Sequence, residues 1–379
     1  MMHPLRSKAV VAGIGVTRFG VFDTEDAYTL GAQALRSALE DAGRQACDLD
    51  AVITIRIPSY QRFCQLAGAD PRTAFALQGQ GRMAGVALEL GASLIASGAA
   101  RTVALVYGND GRSRGATYGG LDDRYGNGDA TFWQAYGMTS PGAVHAMMYA
   151  RHAAQYGTDD DALGVIASTF RRHAGLNPAA VMRKPLTLDD HRNSRYIAEP
   201  LRLPDYCLIN DGGVALVLTH ADAAHDLPQP PVYLRAVATQ TRMRDSGFPP
   251  DDYWHGAMQD IGKRLYRMAD LAPTDMHALM IYDNFTPTVL FSLEGFGYCD
   301  PGESGPWVKQ GHLSLQGRYP ANTSGGHLSE SYMQGWALIA EAVRQVRGQA
   351  QGRQVADAGN VHYMCASPVS SSAIFSEAP

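Results

Sequence analysis

Apolar and polar positions along the chain switch repeatedly between a strand period and a helical one. Residues 8–16 form an apolar run that reads as a buried first strand, and residues 29–42 then place Leu30, Ala34, Leu35, Ala38 and Leu39 on one helical face that Gly43 closes. Residues 51–55 predict a second strand. Met83, Val86, Leu90 and Leu94 give residues 82–97 helical spacing with Gly98 as the stop, and residues 102–107 are an unbroken apolar strand. This alternation predicts an α/β protein.

From 108 to 140 the pattern dissolves into Gly, Asp, Asn, Arg and aromatic residues, too long a stretch for an idle connection and therefore an expected active-site loop. Helical spacing resumes over 143–156 and 160–174, and 185–204 is predicted as an extended excursion broken by prolines. Asn210-Asp-Gly-Gly is a turn signal feeding a buried strand at 214–219. The proline-rich segment 226–231 predicts a linker, so the chain is expected to divide near 228 into halves at 1–227, with an excursion over about 108–205, and 228–379. The second half offers strands at 232–239, 278–282, 361–365 and 373–375, and helices near 260–269, 287–295 and 333–347. Both halves use similar elements in similar order, with no residue-level repeat.

Composition narrows the partners. A hydrophobic content of 45% is enough for a large core, and a net charge of −5 without runs of like charge excludes a phosphate-binding face, so nucleic acid is not an expected partner. No stretch approaches the roughly 18 apolar residues of a membrane helix, and the short apolar run after Met1 to Lys8 is closed by Thr17-Arg18-Phe19 without a cleavage site. Five widely spread cysteines without a CxxC pair predict neither a disulfide framework nor a zinc site, which fits a reducing cytoplasm.

Generic motifs mostly fail on context. Gly13-Ile-Gly15 follows a strand, but the third glycine of a dinucleotide fingerprint would fall at Arg18. Gly111-Arg-Ser113-Arg-Gly115 matches an esterase elbow without the helix that must follow the serine. The histidines show no metal-ligand spacing, so no metal is expected. Two loops differ. Tyr282-Asp283-Asn284-Phe285 ends a buried strand where α/β proteins place ligands; a tyrosine there serves either catalysis or the core. Asn322-Thr-Ser324-Gly325-Gly326-His327-Leu-Ser-Glu-Ser-Tyr332 carries paired glycines ahead of a helix, which suit close approach of a ligand or a simple helix cap.

Asp211-Gly212-Gly213-Val-Ala-Leu-Val-Leu-Thr, Tyr282-Asp-Asn-Phe and Asn322-Thr-Ser-Gly-Gly-His-Leu-Ser, with the opening Val-Val-Ala-Gly-Ile-Gly-Val-Thr-Arg-Phe-Gly, His173-Ala-Gly-Leu-Asn-Pro and Pro185-Leu-Thr, together resemble the thiolase superfamily. The resemblance is to its lipid-transfer-protein branch, related to sterol-carrier-protein thiolases, and covers nearly the whole chain. It implies a thiolase-like fold of two similar halves in a five-layer αβαβα arrangement. It also places Gln78 where thiolases carry the nucleophilic cysteine, and an amide cannot form a thioester. Tyr282 falls at the His or Asn of one family motif and Tyr332 at the His of another. Cys365 lies near the second catalytic cysteine, where a buried structural thiol is the other reading.

Two tyrosines in such a site are the arrangement of the steroid side-chain aldolases of this branch. The resemblance therefore implies a retro-aldol carbon–carbon lyase acting on a β-hydroxyacyl-CoA, with Tyr282 and Tyr332 dividing proton abstraction and enolate protonation. Backbone donors would hold the enolate oxygen. His327 is expected to assist at the thioester oxygen if 325–330 form a tight loop, a capping role being the alternative. Asn284, Ser324, Gly325, Gly326, Gln78 and Trp133 are expected to bind substrate or CoA, with aromatic residues of the 108–140 loop shaping the pocket. Coenzyme A enters as part of the substrate, and no permanently bound cofactor is expected. The family also implies a homodimer working with a small partner that combines a zinc-binding segment and an OB-fold. An acyltransferase using Cys365 and a non-catalytic thiolase-like subunit are the alternatives.

Overall fold

The structure is a computed structural model that describes residues 3–78, 83–115, 140–241 and 250–379. Its strands are β1 (Ala9–Val16), β2 (Ala51–Ile55), β3 (Thr73–Leu77), β4 (Thr102–Asn109), β5 (Tyr196–Ala198), β6 (Leu201–Arg202), β7 (Gly212–His220), β8 (Val232–Thr241), β9 (Ala278–Ile281), β10 (Asn360–Cys365) and β11 (Val369–Ser376). Among the helices, α1 (Ala27–Ala42), α2 (Tyr60–Ala67) and α3 (Met83–Ala96) precede α4 (Pro141–Tyr156), α5 (Asp161–Gly175) and α6 (Leu188–Arg192). They are followed by α7 (His255–Ala269), α8 (Thr286–Gly295), α9 (Ser304–Lys309), α10 (Gly326–Ser329) and α11 (Trp336–Val346).

One strand pattern occurs twice. In the first, β1 runs antiparallel to β7, β7 antiparallel to β4, and β4 and β2 parallel to β2 and β3. In the second, β8 runs antiparallel to β11, β11 antiparallel to β10, and β10 parallel to β9. The two patterns pair edge to edge through Val10 with Tyr233 and Val11 with Val232.

Helices complete five layers. On the outer face of the first pattern α1 covers β1, β7 and β4, and α2 covers β2 and β3. Helices α3 and α11 lie between the patterns, each touching strands of both, while α7 covers β8 and β11 on the far side with α8 beside it. A sheet covered on both faces needs apolar residues in both directions, which is why β4 is buried along its whole length and reads as an unbroken run. Gly13 and Gly15 of β1 serve this packing: a Cβ on either would lie within 2.1 Å of a carbonyl oxygen of α1, at Ala38 or Ala34. The glycine pair is a seat for a helix.

The excursion departs from its expected extended form. It contains α6 and the β5–β6 hairpin, and His191 and Thr286 both bind the buried Asp205 carboxylate at 2.8 Å, pinning it to the start of α8. Helices α4 and α5 cross over to pack against α8, α9 and α10, so residues such as Tyr149 and Phe170 share one core cluster with Phe291 and Leu328. Elements absent from the sequence reading, α2, β3, α9 and α10, also appear. Among the described residues no helix is long and apolar enough to cross a membrane.

Candidate active site

Tyr282 leaves the end of β9, its N–H donating to the Met364 carbonyl of β10 at 2.8 Å. Asn322 fixes the same point from the other side: its side chain accepts the Ile281 N–H at 2.7 Å and donates to the Ile281 carbonyl at 2.8 Å. Tyr332 is held by a different contact, its N–H donating to Asn210 Oδ1 at 2.8 Å, while the Asn210 carbonyl accepts from Asn109 Nδ2 at the end of β4. From these two anchors the side chains meet. The hydroxyl oxygens of Tyr282 and Tyr332 are hydrogen-bonded at 3.0 Å, with the residues only 3% and 7% exposed.

His327 stands against both rings, with centroids 4.6 Å from Tyr282 and 5.1 Å from Tyr332 and edge-to-face geometry in each case. Its nitrogens point elsewhere. Nε2 accepts the Gly335 N–H at 2.9 Å and Nδ1 faces Asp283 Oδ1 at 3.4 Å, so both nitrogens meet groups of the protein itself. Burial holds the imidazole neutral, with its pKa lowered to about 3.

Asp283 accepts the backbone N–H groups of His327 at 2.8 Å and Leu328 at 3.3 Å, and burial pushes its carboxyl up to about 8. Glu330 is also buried and raised to about 7. It accepts from Ser324 Oγ at 2.7 Å and Asn177 Nδ2 at 3.0 Å.

The remaining expected site residues occupy varied places. Ser324 is fully buried and spends its hydroxyl on Glu330. Gly325 and Gly326 have φ of 109° and 62°; a Cβ on Gly325 would meet Ala174 Cβ at 2.6 Å and one on Gly326 would meet Asp283 Oδ2 at 2.2 Å. Their conformation serves the loop's own packing. Asn284 accepts from the Thr288 hydroxyl at 2.9 Å and reaches His145 Nε2 at 3.5 Å. Gln78 is exposed directly after β3, and Trp133 lies outside the described residues, as do the other aromatic residues of its loop. Cys365 is buried at the end of β10, opposite Ser371. Ser113 of the elbow-like motif donates to the Asp110 carbonyl, and its N–H donates to Asp211. No strained nucleophile turn forms there. Among the described residues no group of three or more His, Cys, Asp or Glu is placed to hold a metal.

Sequence reasoning did not single out Asp283, Asn210, Asn322, Glu330 or Asn177 for the site. Asp283 stood inside a motif already noted, and its position at a strand end was the available signal.

Residues 246–373 match the thiolase C-terminal domain-like family. A steroid side-chain-cleaving aldolase of Thermomonospora curvata is 34% identical over 95% of each chain. The chain belongs to the thiolase superfamily, in the branch of the steroid side-chain-cleaving aldolases. A 17-hydroxy-3-oxo-4-pregnene-20-carboxyl-CoA lyase of Mycobacterium tuberculosis is likewise 34% identical, over 91% of this chain and 92% of its own. The solved structure of an Ltp2-ChsH2(DUF35) aldolase superposes with a TM-score of 0.89 at 33% identity, covering 98% of both chains. The five-layer arrangement is thus that of a thiolase-superfamily aldolase, a carbon–carbon lyase.

Proposed function

We propose that the chain cleaves the Cα–Cβ bond of a β-hydroxyacyl-CoA by a retro-aldol reaction, with Tyr282 and Tyr332 as its acid–base pair. The observation that carries this reading is the 3.0 Å hydrogen bond between their hydroxyls at the meeting of two loops. One tyrosine, acting as the phenolate and stabilised by the hydroxyl of the other, takes the proton of the substrate's β-hydroxyl as the carbonyl forms. The electron pair of the broken bond passes to Cα as an acyl-CoA enolate, and the other tyrosine hydroxyl protonates that carbon. One proton leaves oxygen and one arrives at carbon, so transfer between the two phenols restores the starting state without a net exchange with solvent. A hydrogen-bonded pair suits this cycle better than two isolated bases.

The substrate's acyl group is read as a steroid or other polycyclic side chain, supported by the names of both aldolase relatives. A small partner protein is part of the proposal, supported by the complex in which the matching aldolase structure was solved; a homodimer core and a cytoplasmic setting complete it. The division into 1–227 and 228–379 is supported by the repeated strand pattern. The test incubates the purified protein, alone and with such a partner, with a panel of β-hydroxyacyl-CoA thioesters and reads products by mass. The expected products are a ketone or aldehyde and a shortened acyl-CoA, with no mass added to the protein. A stable acyl adduct on Cys365 would overturn the reading in favour of acyl transfer.

A further inference from the structure

We infer that Asp283 and His327 are positioning residues that set the distance between the Tyr282 and Tyr332 hydroxyls. The inference rests on the proposed role of the two tyrosines and adds the device that holds them together.

The two phenols arrive on separate segments, Tyr282 from the end of β9 and Tyr332 from the turn after α10. Nothing in either segment alone fixes the 3.0 Å between their oxygens. Asp283 joins them. As the residue next to Tyr282, it moves with that side chain, and its carboxyl group binds the N–H groups of His327 and Leu328 in α10, the turn that leads to Tyr332. His327 fills the angle between the two rings. Its Nε2 then reaches over the turn to the Gly335 N–H, closing the segment that contains Tyr332 between residues 327 and 335. Both residues are fully buried, so each acts through the tyrosines.

The space around them leaves little freedom. Gly326 cannot carry a side chain because the Asp283 carboxylate occupies its place, and a Cβ on Gly335 would lie 3.4 Å from Tyr282 Cδ2 and 2.3 Å from the Tyr363 hydroxyl. A loop fitted this closely transmits a change at one contact to the rings, and a displacement of about 1 Å at reacting groups costs on the order of 100-fold in rate.

The experiment measures kcat and KM of the full chain, with its partner protein if activity requires one, on one cleavable thioester. The variants are His327→Ala, His327→Gln, Asp283→Asn, Tyr332→Phe and the double variant His327→Ala/Tyr332→Phe. His327→Ala should lower kcat by about 10- to 100-fold with KM changed by less than about threefold. His327→Gln, which keeps an acceptor for the Gly335 N–H, should recover most of that loss, and Asp283→Asn should fall between the two. In the double variant, His327→Ala should add almost nothing to the effect of Tyr332→Phe, because its only route to the chemistry is gone. Wild-type kcat in His327→Ala and Asp283→Asn, or losses that multiply in the double variant, would overturn the inference. If His327→Ala does not fold, His327→Gln and Asp283→Asn decide the matter by the same kcat and KM criteria. A Tyr332→Phe variant with unchanged kcat would instead overturn the reading of the tyrosines.

Discussion

The side chain of Asn322 lies alongside Ile281 as one more unit of strand, taking its N–H and giving to its carbonyl. The backbone of Asn322 is left-handed at φ 43°, a conformation asparagine tolerates. Asn322→Ala should leave two buried peptide groups unpaired at about 1 to 3 kcal/mol each, a loss of about 2 to 6 kcal/mol in all. Urea unfolding followed by fluorescence measures this, and a loss under about 1 kcal/mol would show that the bracket is dispensable.

Removing one phenolic hydroxyl should slow turnover far more than it weakens binding. Tyr282→Phe and Tyr332→Phe are each expected to lower kcat by about 10²- to 10⁴-fold, the range of a lost proton-transfer group, with KM for the thioester nearly constant. Steady-state kinetics on one cleavable substrate check the pair. A rise in KM at unchanged kcat would make them binding residues.

Much of the architecture was readable because burial on both sides writes long apolar runs: β4, β7 and α1 appear in the sequence close to their true bounds. Strand β3 escaped notice since its residues are only half-buried at the sheet edge, and α2 is too short to display a helical period. The motifs around Tyr282 and Tyr332 single them out, and the structure brings their hydroxyls together. Their supports are not singled out, because an asparagine or aspartate reveals its role only through partners far along the chain. Asn322 meets Ile281 41 residues away and Asn210 meets Tyr332 across 122. The contacts of the His327 nitrogens with Gly335 and Asp283 are likewise set by the folded loop.

Stability should peak near pH ~6.5. Burial lowers His173 to about 4 and His327 and His362 to about 3, so these groups stay neutral in the fold while the unfolded chain protonates them near pH ~6.5. Their contribution is present above that value and is lost as pH falls. Asp283 and Glu330 have the opposite sign, since carboxyls raised to about 8 and about 7 contribute most below the unfolded value and lose it as pH rises. In mid-range, three protons favour unfolding and two oppose it, so stability declines by about 1.4 kcal/mol per pH unit. Below about pH 4 the carboxyls are protonated in both states while the buried histidines begin to protonate in the fold, so the decline levels off. Urea midpoints at several pH values test this, with stability that rises continuously toward acid as the contrary outcome.

Arg347, at the end of α11, binds Asp41 of α1 at 2.7 Å, the carbonyl of Ala12 in β1 at 2.9 Å and that of Pro230 at 3.1 Å. The same Asp41 oxygen accepts the Ile14 N–H. Arg347→Met removes the cation beside the carboxylate and the donor to the carbonyls of Val11, Ala12 and Pro230, and should destabilise the protein by about 3 to 5 kcal/mol. Thermal unfolding with and without the change measures it. A shift too small to detect would mean that water replaces the guanidinium.

The middle layer also governs the order of events during synthesis. One core cluster gathers Ala9, Leu88, Leu105, Trp336, Tyr363 and Phe375, residues from both ends of the chain, and α3 and α11 each lean on strands made hundreds of residues apart. Until the last elements leave the ribosome, the inner face of the early sheet is covered by α3 without α11. Such long-range closure is slow and leaves apolar surface open to aggregation in the meantime. A nascent chain that stops before α11 should therefore remain bound to chaperones, and release should follow completion of β11.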